Sequence, residues 1–142
     1  MKRWRLPITL VILVIIGVVT VRHILEKRAE QKRDALYESI LRGYSDSLKP
    51  GVTRLEVEKY LQSQNLTFRQ MCCVNSKVFG AGVWDDLVKI GKEDAPWFCS
   101  ENNVYIALDF TGQRPQGHTG WDAQSTDTLT AVTVYHWLEG CL

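Results

Sequence analysis

The chain has four cysteines, Cys72, Cys73, Cys99 and Cys141, separated by 1, 26 and 42 residues. Thiols offer three chemistries: nucleophilic or redox work, metal ligation, and cross-linking. A reactive thiolate needs a cationic neighbour to lower its pKa. Near the adjacent pair in "RQMCCVNSK" the closest basic residue is Arg69, and no histidine is close. Structural zinc sites space cysteines as C-x2–4-C pairs, which these spacings do not provide. Cross-linking is the leading role. A bond between Cys72 and Cys73 is disfavoured, because adjacent Cα atoms lie about 3.8 Å apart and a bridge usually needs roughly 4.4–6.8 Å. On a strand the two side chains also point to opposite faces. Each of Cys72 and Cys73 is therefore expected to bond one of Cys99 and Cys141, fastening the "WFCSE" loop and the "EGCL" segment to a sheet.

Other chemical candidates are weaker. His23 follows the apolar N-terminal run, His118 lies in a polar loop, and His136 alternates with Tyr135 and Trp137 on a strand. The acid pairs Asp85–Asp86 and Glu93–Asp94 read as solvated neighbours. "GAG" at 80–82 lacks the surroundings of a phosphate loop, and "NLT" at 65–67 is a sequon of a kind common by chance. The expectation is no catalytic residue, no metal, no cofactor and no small-molecule substrate.

Charge is unevenly spread. Residues 1–42 carry nine Lys/Arg and four Asp/Glu, a net of +5, and residues 43–142 carry eight and twelve, a net of −4. A mildly acidic C-terminal part argues against nucleic acid. From Leu6 to Val21 no charge occurs; such a run makes about 24 Å of helix against a hydrocarbon core of roughly 30 Å. Arg22 snorkelling, with Ile24 and Leu25 in lipid, would complete a span over 6–25. The competing reading is a cleaved signal peptide, but Val18 to His23 offer no A-x-A-like site. Lys/Arg on the two flanks nearly balance, so the positive-inside rule does not orient the span. Four cysteines in a small domain favour an oxidising compartment. The organisation expected is a cytoplasmic tail at 1–5, a lipid-contacting anchor at 6–25, a charged helical stalk at 26–35, and an extracytoplasmic domain at 36–142. The location expected is a bacterial inner membrane with the domain periplasmic or extracellular.

Within the domain, Leu36, Tyr37, Ile40, Leu41 and Tyr44 form a helical stripe, ended by "KPG" at 49–51. A second helix starts at Thr53, with Glu56 three residues on completing a capping box; Leu55, Val57, Tyr60 and Leu61 are its expected buried side. Strands are expected at 66–74, 103–110 and 129–138, with 83–90 either a fourth strand or a short helix. The polar stretch 111–128 reads as a mobile hairpin loop. The fold class expected is α+β, two helices on one face of a three- or four-stranded antiparallel sheet. Tyr105, Tyr135 and Trp137 alternate away from the aliphatic face and form a candidate partner surface.

The helix junction "LKPGVTRLEVEKYL" resembles the G-hydroxyl-basic-x-x-V helix start of the SmpA/OmlA (BamE-like) envelope proteins. The element order over about residues 36–138 is similar to the β-lactamase-inhibitor-protein fold. The resemblance implies a protein-binding module, in several members one of outer-membrane assembly. This chain differs in lacking a lipidation cysteine and a Gly-x-Pro after the second helix, and in carrying four cysteines. The function expected is that of a non-enzymatic, membrane-anchored protein-interaction or assembly-accessory module. The alternatives are a thiol redox protein using Cys72 and Cys73, and an inhibitor-like module that blocks an envelope enzyme.

Overall fold

A computed structural model of the chain describes residues 5–72, 83–116, 118 and 120–142, with side chains from residue 11 onward. Two compact units are present, Met1–Leu36 and Tyr37–Leu142. Two helices, α1 (Arg5–Ser47) and α2 (Arg54–Ser63), precede four strands: β1 (Arg69–Cys72), β2 (Trp84–Glu93), β3 (Glu101–Thr111) and β4 (Thr128–Glu139). The strands form one antiparallel sheet in the order β1-β2-β3-β4.

The first unit corrects an expectation. Among the described residues, no helix is long and apolar enough to cross a membrane. Described apolar side chains run from Val11 to Val21 before Arg22 interrupts them, which is only about 16 Å of helix. Continuing from Val11 for the roughly 20 residues that a bilayer core requires brings in Arg22, Glu26, Lys27, Arg28 and Glu30. The single-pass anchor expected over 6–25 is therefore overturned, and so is the inner-membrane location built on it. What the structure does show is a run of exposed aliphatic side chains from Val11 to Leu25, with Arg22 paired to Glu26 at 2.9 Å.

In the second unit, α2 begins where local chemistry fixes it. The Thr53 hydroxyl accepts from the Glu56 amide, and the Glu56 carboxylate accepts from the Thr53 amide at 2.8 Å. Two orphan amides of the first turn are thus satisfied. The Thr53 hydroxyl also lies 2.7 Å from the Glu56 carboxylate, and hydrogen bonds from this hydroxyl and from the Thr53 amide hold the Glu56 carboxyl below its usual range. The buried face of α2 is Arg54, Val57 and Leu61, a 3–4 spacing that makes one stripe. Leu55, expected inside, lies off that stripe and is 45% exposed, whereas Arg54 is 1% exposed.

The core forms between the helices and one sheet face. Tyr44 of α1, Leu48 just after it, and Val57 and Leu61 of α2 pack on Val88, Ile106, Leu108, Phe110 and Leu129. Strand alternation puts these sheet residues on the same side. Residues 83–90, left open by the sequence, supply most of β2, and β2 bulges between Lys89 and Gly91. Segment 112–127 is anchored and does not read as a free hairpin. Arg54 donates its amide to Asp127 O at 2.7 Å and Leu55 to Ser125 O at 3.2 Å. Trp84 donates to Asp122 O at 2.9 Å. Replacing Thr53 with Ala removes the cap hydroxyl and should lower unfolding stability by about 1 kcal/mol, measured by urea denaturation; an unchanged midpoint would show that the backbone bonds of 51–55 hold the turn alone.

Candidate functional site

Three clusters bear on function: a buried ion network, the outer sheet face, and a disulfide-closed tip.

The network centres on Arg54. Its guanidinium donates to Asp86 and to the Trp84 carbonyl, lies 3.5 Å from Asp127, and sits 3.8 Å above the Phe110 ring. Arg114 answers from segment 112–127, binding Asp127 through both terminal nitrogens at 2.6 and 2.9 Å and Asp122 at 2.5 Å. Gly112 is required there, because an added Cβ would meet Asp127 Oδ1 at 1.9 Å. Asp86 and Asp127 are both fully buried, yet their carboxyls behave oppositely. For Asp127, burial alone would push the value up. The hydrogen bonds from Arg114 and the Gln124 amide, with the charges of Arg114 and Arg54, outweigh it and hold the carboxyl low. For Asp86, burial outweighs Arg54, and Glu58 adds a like charge, so the carboxyl is pushed up to about 7. The network joins α2, β2 and segment 112–127 and so positions these elements against one another.

The outer sheet face carries Leu87, Tyr105 and Ala107, with Met71, Tyr135 and Trp137 packed around them. Tyr105 is 5% exposed and lies under Trp137, ring centroids 6.3 Å apart, while Tyr135 and Trp137 are half-buried at 6.4 Å. Arg69, from the edge strand, reaches across to the Trp137 ring at 5.8 Å and to Glu139 at 3.5 Å. Of the expected partner surface, Tyr105 is thus core and only Tyr135 and Trp137 reach solvent.

The cysteines are arranged differently from expectation. Cys99 bonds Cys141, so neither can take a bond from Cys72 or Cys73. Register explains this. Glu101 pairs with Glu139, and each of Cys99 and Cys141 lies two residues beyond that pair. Cys72 pairs with Trp84 at the start of β2, beside the end of β3, at the other end of the strands. Cys72 is itself disulfide-bonded; Cys73 lies outside the described residues. Gly140 adopts φ +60°, and an added Cβ would meet Ser100 Oγ at 2.2 Å, so this turn needs glycine to bring Cys141 to Cys99.

The bridge closes a tip. Cys99 donates its amide to Pro96 O at 2.9 Å, Leu142 to Phe98 O at 2.9 Å, and Ser100 to Glu139 O at 3.0 Å. On this braced loop Trp97 is 91% exposed and Phe98 40%, their rings 5.7 Å apart edge to face. The sequence marks this loop only as a fastening, because the exposure of its tryptophan is a tertiary property. A tryptophan two residues before a cysteine, next to a proline, is the one signal available. His136 stands by Glu93 at 3.5 Å and His118 by Asp122 at 3.9 Å. Among the described residues no group of His, Cys, Asp and Glu is placed to hold a metal ion. No protein-family model matches the chain, and no curated protein or solved structure is significantly similar to it.

Converting both Cys99 and Cys141 to Ser opens a loop of 42 residues, and the chain-entropy estimate for that length is a loss of about 4 kcal/mol. Guanidinium unfolding checks it, and a loss below about 1 kcal/mol would mean that the β3–β4 register holds this end without the bridge.

Proposed function

We propose that the unit Tyr37–Leu142 is a non-catalytic protein-binding module, and that it meets its partner with the Trp97–Phe98 tip. One observation carries the reading: a tryptophan 91% exposed on a loop braced by a disulfide and backbone hydrogen bonds. Such a side chain leaves its apolar surface in water unless a partner covers it. Bracing lowers the ordering cost of binding, and tryptophan is the side chain most enriched among residues that dominate interface energies. Support also comes from the fold: two helices seal one sheet face, and Trp137, Tyr135 and Arg69 leave a half-exposed aromatic and cationic group on the other. The resemblance at "GVTRLEV" to protein-binding families agrees with this reading.

A thiol redox role is the weaker reading, because Cys72, Cys99 and Cys141 are all bonded. The test is site-specific photocross-linking in the native host, with a photoreactive phenylalanine analogue at position 97 and, as control, at exposed position 59. A discrete protein adduct from position 97 alone, lost on Phe98→Ala, is expected. Equal adducts from both positions, or adducts to lipid only, would contradict the proposal.

A further inference from the structure

Asp86 is the one buried acid of the network that is left poorly served. Its Oδ1 accepts from Arg54, while Oδ2 has no hydrogen-bond partner among the described residues. The groups facing it come from every packed element: Arg54 and Glu58 from α2, Gln70 from β1, and, beyond Arg54, Asp127 with Arg114 from segment 112–127. On β3 it is paired with apolar Leu108, and on β1 with Gln70. Gln70 in turn donates to Glu58 at 3.2 Å. Asp86 and Glu58 thus both face Gln70, and Arg54 is divided between Asp86 and Asp127. The strand in the middle of this group, β1, is an edge strand of four residues that, among the described residues, pairs only with β2.

We propose that Asp86 is a proton-controlled clasp that holds α2 and the edge strand β1 against β2. Uncharged, it lets Glu58 and Gln70 close on it; ionised, it faces Glu58 as a like charge, while Arg54, the cation beside it, is divided between Asp86 and Asp127. The clasp stands whether or not the tip binds a partner. Burial, together with Glu58, pushes the Asp86 carboxyl up to about 7 from an ordinary value of 3.8. The folded state therefore holds this proton more tightly than the unfolded chain does. The stability it brings is full below the ordinary value and is lost as pH rises through about 7. Asp122 and Asp127, whose carboxyls are held low, act in the opposite sense and only in acid.

The experiment follows thermal unfolding and β1 amide exchange of the full chain between about pH 5 and about pH 8.5. In the wild type the melting temperature should fall across this range, and the protection of Gln70, Met71 and Cys72, corrected for intrinsic exchange, should drop about tenfold. Asp86→Asn keeps an oxygen for Arg54 and cannot ionise, so its difference from wild type isolates the step from histidine titration common to both. The step should vanish in this variant. Glu58→Gln removes the like charge and should move the step to lower pH, an effect that a merely packed carboxyl would not give, and it decides the matter even if Asp86→Asn fails to fold. A step that persists in Asp86→Asn, or keeps its midpoint in Glu58→Gln, would overturn the proposal.

Discussion

A buried arginine sets the terms for this domain. Arg54 is 1% exposed, and a guanidinium cannot shed its charge to suit an apolar setting. Taking it from water is costly unless carboxylates and carbonyls meet it. Asp86, Asp127, the Trp84 carbonyl and the Phe110 ring do so from three directions. The partners belong to β2, β3 and segment 112–127, so satisfying one side chain fixes three separate pieces of backbone. Helix α2, strand β2 and segment 112–127 cannot be placed independently once Arg54 is inside.

That constraint explains why a polar stretch rich in Gly, Thr and Gln is anchored. Arg114 repeats the device at one remove, clamping Asp127 with two bonds and Asp122 with a third. The backbone follows, with Arg54 and Leu55 donating to Asp127 and Ser125. Apolar packing of Tyr44, Leu48, Val57 and Leu61 on the sheet supplies the bulk of burial; the ion network supplies register. At the far end the Cys99–Cys141 bridge does comparable work for β3 and β4 by covalent means. The exposed Trp97 tip depends on that bridge, and the edge strand β1 depends on the Asp86 site, so the two functional proposals draw on opposite ends of one sheet.

Much of this was legible in the residues, and some was hidden for stateable reasons. The start of α2 was readable because Thr53 and Glu56 act within one turn. The alternation of β3 and β4 was readable because a covered sheet face imposes period two. Strand β2 stayed ambiguous because "WDD" puts two acids where a buried strand should be apolar, and both are in fact buried. Leu55 reads as core in the sequence because an apolar residue at a helix start outranks an arginine by composition, although Arg54, Val57 and Leu61 share the better stripe. The cysteine pairing failed on topology: a fourth strand moves Cys72 to the end of the sheet away from Cys99 and Cys141. The uncharged run after Leu6 suggested a span, and Arg22 with the charges that follow it denies the described helix the length.

The most direct measurement is the unfolding free energy of Arg54→Met by guanidinium denaturation. Methionine keeps the volume and removes the cation, leaving Asp86 and Asp127 buried with one partner fewer. A loss of about 3–5 kcal/mol is expected for breaking a buried ion pair from one side, with the amides of 122–127 losing exchange protection alongside. A variant within about 1 kcal/mol of wild type, with that segment still protected, would contradict the claim that Arg54 holds these elements together.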